Sequence, residues 1–193
     1  MDETVRQALI KWPNVPACTG WLLLDRRGNW RMRDEATQAS GTAGEPIRHR
    51  ALLSFINRNY ACDEHGQWFF QNGPQRVYVE LAYAPWSVRL ATDAQGTLTL
   101  TDQAGNAFEP DIGLIDEEGS VLFADNATPP RLALLHDHDL ELFAEHATLD
   151  ETGHSGVFRW RPAPVLPLLL EATTRDALPA RFGFVMSPAS RVG

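Results

Sequence analysis

The chain has little cysteine, no long apolar run and none of the short motifs that announce common catalytic chemistry. Its two cysteines, Cys18 and Cys62, lack CxxC spacing. A disulfide framework and a Cys-based zinc or redox site are therefore unsupported, and the expectation is two free thiols in a reducing compartment. Residues 1–17 carry Asp2, Glu3, Arg6 and Lys11 with Pro13 and Pro16, and contain no apolar segment of the signal-peptide kind. The apolar stretch Val165–Leu170 is too short to span a bilayer and holds Pro167. A cytoplasmic location follows as an expectation. Positive charge is scarce as well: 17 Lys and Arg stand against 25 Asp and Glu, for a net charge of -8. Nucleic acid and anionic membrane are poor partners for such a surface. There is no P-loop, no Gly-x-Gly-x-x-Gly, no Gly-x-Ser-x-Gly and no HExxH.

What is present is an α+β pattern. Residues 2–12 place Val5, Ala8, Leu9 and Trp12 on one helical face, and Pro13 ends that helix. The segment "WLLLDRRGNWRMR" reads as strand, turn and strand about Asp25 and Gly28. Residues 36–45, small and polar, read as a mobile loop, and Pro46 suits the first turn of a helix running to Tyr60. Strict alternation follows from Gln75, with Val77, Val79 and Leu81 on one face and Arg76, Tyr78 and Glu80 on the other. Further strands are expected at "SVRLAT", "TLTLTD", "IGLID", "SVLFAD", "RLALL", "GVFRW" and "RFGFVM". A helix over "LELFAEHA" has Leu140, Phe143, Ala144 and Ala147 inward and Asp137 or Asp139 as its cap. Trp30, Trp68 and Trp160 fall on strands and are assigned to the core.

The order of elements repeats at a period of about ninety residues. Hairpin 21–33, helix 48–60 and aromatic strand 67–71 are answered by hairpin 112–125, helix 140–147 and aromatic strand 156–160. The expectation is two tandem α+β-roll-like repeats, each a helix on a small antiparallel sheet, packed together because neither alone has much core. The first occupies residues 1–85 with the N-terminal helix and the second residues 86–161, with 162–193 a proline-rich extension.

The segments "GNWRM", "EPIRHRALLSFI", "DEHGQWFF" and "RVYVELAYAPW" carry a resemblance over residues 28–86, extending in element order to residues 20–160. In Gly28 and Trp30, Pro46 and Ile47, Asp63, Gly66 and Trp68, and Val77, Val79, Ala84 and Pro85, the chain resembles the uncharacterised bacterial family known as domain of unknown function 1285, or a sister family of the same fold. The resemblance implies tandem α+β rolls and a role in signal transduction. It implies no catalytic residue.

The most unusual local chemistry is "QNGPQR". A tight turn centred on Asn72-Gly73 would need the N–H that Pro74 lacks, so a wide loop is expected. Gln71, Asn72, Gln75 and Arg76 would then form a polar lip for a ligand or partner. The plainer alternative is a loop whose side chains cap its own backbone. Trp86, after Pro85, is a candidate cleft wall. His136 and His138 in "HDHD" are the candidate metal ligands, set against a plain strand-to-helix junction with an aspartate cap. Three functions emerge: a non-catalytic protein binding a small molecule or protein partner, without cofactor; a metal-dependent hydrolase using His136, His138 and nearby carboxylates; and a structural protein forming homo-oligomers through exposed strand edges.

Overall fold

In the computed structural model, which describes residues 1–191, the chain is α+β with two mixed sheets. It divides into two compact units. The first comprises Met1–Asp25, Asn29–Tyr83 and the stretch from Gly183 onward; the second comprises Arg26–Gly28 and Ala84–Phe182. Residues 162–182 fall in the second unit, and residues 183–191 in the first.

The first unit runs α1 (Glu3–Lys11), β1 (Cys18–Leu24), β2 (Trp30–Met32), α2 (Glu35–Ser40), β3 (Glu45–Pro46), α3 (Arg50–Arg58), β4 (Tyr60–Cys62), β5 (Trp68–Asn72) and β6 (Gln75–Leu81). Its strands lie in the order β3-β2-β1-β6-β5-β4. All neighbours are antiparallel except β1 and β6, which run parallel. The expected small antiparallel sheet is therefore mixed, because the excursion through α3 returns the chain beside β1 in the same direction. Leu22, Leu24, Trp30, Phe70, Val79 and Ile56 fill the core, and Phe55 of α3 meets Phe70 edge-on at 5.4 Å.

Two local readings change here. Residues 36–45 are not a loop throughout, because Asp34 accepts the Thr37 N–H at 2.8 Å and caps α2. Gly41, at φ 68°, ends that helix in the left-handed region. Pro46 does not begin a helix but sits on the edge strand β3, where its missing N–H costs nothing. The helix starts later, with His49 Nδ1 accepting the Leu52 N–H at 3.2 Å.

The second unit runs β7 (Trp86–Thr92), β8 (Leu98–Asp102), β9 (Ile112–Ile115), β10 (Val121–Ala124), β11 (Leu132–Leu135), α4 (Leu140–His146), β12 (Ala147–Leu149), β13 (Gly156–Phe158), β14 (Leu168–Ala172) and α5 (Leu178–Phe182). Its sheet order is β12-β13-β14-β9-β10-β11-β7-β8, with β9 parallel to β14 and β11 parallel to β7. Val88, Leu90, Phe108, Phe123, Phe143, Phe158 and Trp160 form its core. On α4 the inward residue is Phe143, with Leu142 partly buried, whereas Leu140 and Ala144 are exposed. Residues 181–186 are not a strand, since α5 runs to Phe182 and Gly183 turns the chain. From there Val185 N–H reaches the Gly66 carbonyl at 2.9 Å and Leu81 N–H the Met186 carbonyl at 2.8 Å.

One turn recurs. Asp25, Asp63, Asp93, Asp102, Asp116 and Asp150 each stand three residues before a glycine of positive φ, between 74° and 86°. At Asp63, Asp93, Asp102 and Asp116 one carboxylate oxygen accepts the N–H groups two and four residues on, at 2.7–2.9 Å. The aspartate replaces a water for two turn amides, and glycine alone takes the left-handed step without strain. Alanine at Gly119 would meet nothing within 4 Å, while a Cβ at Gly66 would run into the Gly183 carbonyl oxygen. Gly119→Ala is therefore expected to cost about 1–2 kcal/mol, the backbone penalty alone. Gly66→Ala should cost clearly more. Urea denaturation of the two variants checks this, and equal losses would contradict the packing at Gly66.

Candidate functional site

The hairpin β5–β6 carries four of the five residues marked in the sequence. Asn72 pairs with Gln75, so the two central turn residues are Gly73 and Pro74. Gly73 takes φ 57° at the first central position. Pro74 lies at the second, where no N–H is called for, and Gln75 supplies the closing group. The turn is tight, not wide: a shift of one residue moves the proline from an obstructing position to a harmless one. One side-chain amide serves the hairpin's own backbone and another a distant segment. Gln71 is wholly buried and donates through Nε2 to the Gly73 carbonyl at 2.9 Å; Gln75 Nε2 donates to the Pro16 carbonyl at 3.1 Å. Asn72 is exposed at the tip. Trp86 belongs to the second unit, half-buried at the start of β7, with the Arg131 guanidinium 5.6 Å from its ring.

Arg76 is placed differently. Its guanidinium lies 4.5 Å from the Phe69 ring centroid, and its side chain has no hydrogen bond or ion pair among the described residues. It lines a cleft of about 430 Å³ together with Cys62, Asp63, His65, Phe69 and Tyr78. The Asp63 turn builds the opposite wall. One Asp63 oxygen holds the His65 and Gln67 N–H groups at 2.9 Å, and the other accepts the Tyr78 hydroxyl at 3.0 Å. Tyr78 in turn packs edge-on to Phe69 at 6.0 Å. Asp63 and Phe69 thus fix the phenol, and the Arg76 guanidinium lies over the Phe69 ring.

The cleft holds no activated nucleophile. Burial, and then the neighbouring Asp63 charge, pushes the Cys62 thiol up to about 11. It remains protonated near neutral pH and donates weakly to the Asp63 carbonyl at 3.4 Å. His65 is exposed and 3.6 Å from Glu64. No base addresses the thiol, and the phenol is engaged by the Asp63 carboxylate at 3.0 Å; the arrangement offers a planar cation over an aromatic face, with a hydroxyl beside it.

His136 and His138 stack edge-on at 4.8 Å. His136 Nδ1 accepts the His138 N–H at 3.2 Å, which caps the short turn before α4. Burial, and then the Arg89 charge, keeps His136 below its ordinary pKa. Asp139 occupies the helix cap position but does not cap. It binds Arg89 through two bonds of 2.6 and 2.8 Å and accepts the Leu90 N–H at 2.9 Å. Burial opposes its charge, and these bonds outweigh it, holding its pKa below the usual range. Among the described residues no group of three or more His, Cys, Asp or Glu is arranged to hold a metal ion, so the pair finds no third donor. No helix among them is long and apolar enough to cross a membrane.

The chain belongs to the family described as "Protein of unknown function (DUF2946)", whose model matches residues 1–189. Two solved structures are similar to it, both of the family that the sequence resembles. One is a DUF1285 family protein from Shewanella baltica OS155, 12% identical, with a TM-score of 0.44, covering 69% of this chain and 95% of that one. The other is a DUF1285 family protein from Silicibacter pomeroyi DSS-3, 16% identical, with a TM-score of 0.46, covering 92% and 98%. No curated protein matches.

The turn geometry has a direct test. Gly73→Ala should destabilise by about 1–2 kcal/mol, since its Cβ meets nothing but its φ is positive. Pro74→Ala should change stability by less than about 1 kcal/mol, through the unfolded chain. Chemical denaturation of both variants checks the pair; a large loss at Pro74 with none at Gly73 would restore the wide loop.

Proposed function

We propose that the protein is a non-catalytic binding protein whose first unit holds a small monoanionic or zwitterionic ligand on Arg76. The observation that carries this is the Arg76 guanidinium, stacked on Phe69 at a cleft wall without a carboxylate partner. Six other arginines are matched: Arg31, Arg58, Arg89, Arg131, Arg161 and Arg181 meet carboxylates at 2.6–3.2 Å. Asp63 and Glu64 beside the cleft disfavour a dianion and accept an ammonium group. A carboxylate or an amino acid fits this mixture better than a phosphate. Asn72 and Gln75 enter as the hairpin that presents Arg76, and Trp86 lies in the other unit.

The same reading takes the two units as copies of one α+β roll. Its support is connectivity. The order β3-β2-β1-β6-β5-β4 has its counterpart in β11-β10-β9-β14-β13-β12, with the same parallel pair inside each. Phe55 against Phe70 is answered by Phe143 against Phe158, and Gln71 N–H to the Asn59 carbonyl by Arg159 N–H to the His146 carbonyl. A place in bacterial signal transduction accords with a binding protein that has no catalytic constellation.

Titration calorimetry with a panel of amino acids and monocarboxylates tests the reading. One or more should bind the wild type, and Arg76→Ala should weaken that binding by about tenfold or more while leaving the melting temperature unchanged. Binding that survives Arg76→Ala, or no binding by any member of the panel, would overturn it.

A further inference from the structure

The second unit contains a cleft of about 290 Å³ with the opposite electrostatic character. Its lining includes His146, Arg159, Trp160 and Arg161, with Gly96 and Thr97 of the β7–β8 turn facing them. Arg161 is fixed. Its NH1 donates to the Leu98 carbonyl at 2.8 Å, its NH2 makes bonds of 2.9 and 2.8 Å to the two Glu109 oxygens, and its guanidinium lies 3.9 Å from the Trp160 ring centroid. Trp160 is itself stacked on Phe158 at 6.2 Å. Arg159 is bound only through its backbone, whose N–H donates to the His146 carbonyl at 2.8 Å and so holds the two residues side by side. Its exposed side chain has no hydrogen bond or ion pair among the described residues.

Two acids near the cleft are engaged. Glu109 is bidentate on Arg161, and one Asp93 oxygen accepts the Gln95 and Thr97 N–H groups at 2.9 and 2.8 Å. A pinned guanidinium, a free guanidinium and an imidazole thus converge in a chain whose net charge is -8. No carboxylate lines this cleft, whereas Asp63 and Glu64 line that of the first unit.

We infer that this cleft is a second binding site, for the dianionic group of a small phosphate monoester. Arg159 closes on the phosphate as a two-pronged donor, and His146 flanks it. Arg161, its charge matched by Glu109, keeps the Trp160 ring as the wall against which the organic part of the ester rests. The cleft's volume is near the lower end of small-molecule sites, which admits a compact ester and excludes a dinucleotide. The site is independent of the one at Arg76.

The test is titration calorimetry of the full chain with phenyl phosphate, inorganic phosphate and benzoate. Phenyl phosphate should bind and benzoate should not. Inorganic phosphate should compete; if it binds as tightly as the ester, the site belongs to free phosphate, within the same chemistry. Arg159→Ala should weaken phenyl phosphate by about tenfold or more, and Arg159→Lys should recover part of the loss, with melting temperatures unchanged. Arg76→Ala should leave this binding as it was. Binding of benzoate equal to that of phenyl phosphate, an Arg159→Ala variant within about twofold of wild type, or no binding of either phosphate would overturn the proposal.

Discussion

An aspartate carboxylate that receives the amides of the turn following it is the interaction on which both sheets depend. At Asp63, Asp93, Asp102 and Asp116 the same oxygen takes two N–H groups, and the glycine three residues on supplies the backbone step that closes the turn. The device joins β4 to β5, β7 to β8 and β9 to β10, so it fixes which residues of neighbouring strands face one another. Register in turn decides burial. With Asp116 closing its turn, Leu114 pairs with Leu122 and Ile115 with Val121, and all four are buried. One residue of slip would exchange those side chains between the two faces of the sheet, both of which are buried here, and break the fit on each.

The same device explains where binding chemistry is left over. The chain is acidic, yet many of its carboxylates are occupied by turn amides or by arginines. Asp102 and Asp125 both bind Arg131, whose guanidinium also lies 4.8 Å from the Phe108 ring centroid. Asp139 holds Arg89. Against that background Arg76 and Arg159 stand apart as arginines that line clefts without an acid partner. Asp63 links structure to site most directly. Its turn orders the β4–β5 connection, and its second oxygen fixes Tyr78 beside Phe69 and Arg76.

Much of this was legible in the sequence where the chemistry is local. Asp25–Gly28 and Asp116–Gly119 mark hairpins, and the alternation after Gln75 marks β6 with Val79 inward and Arg76 outward. The failures have local causes too. The helix α2 is hidden in the sequence because Ala, Thr, Ser and Gly suggest a loop, and only the Asp34 cap argues otherwise. The register at Pro74 is ambiguous in the sequence, since turns centred on Asn72-Gly73 and on Gly73-Pro74 both put the glycine at positive φ. The strand β14 hides in "LLLEA" between prolines; lying between β13 and β9, it need not alternate cleanly. The cleft itself was out of reach. Asp63 and Tyr78 are 15 residues apart, and only pairing of Phe69 with Tyr78 brings that hydroxyl back to the turn. The burial of Gln71, which removes it from any ligand, depends on the same pairing.

The central claim is that an arginine left without an acid partner marks where this protein binds its ligand. The most direct measurement is an NMR titration that follows the arginine side-chain Nε–H signals while the amino acid and monocarboxylate panel is added. The account predicts that the Arg76 signal moves and saturates, while those of Arg89 and Arg131, locked to their aspartates, stay in place. An unmoved Arg76 signal across the panel, or equal shifts at the locked arginines, would contradict it.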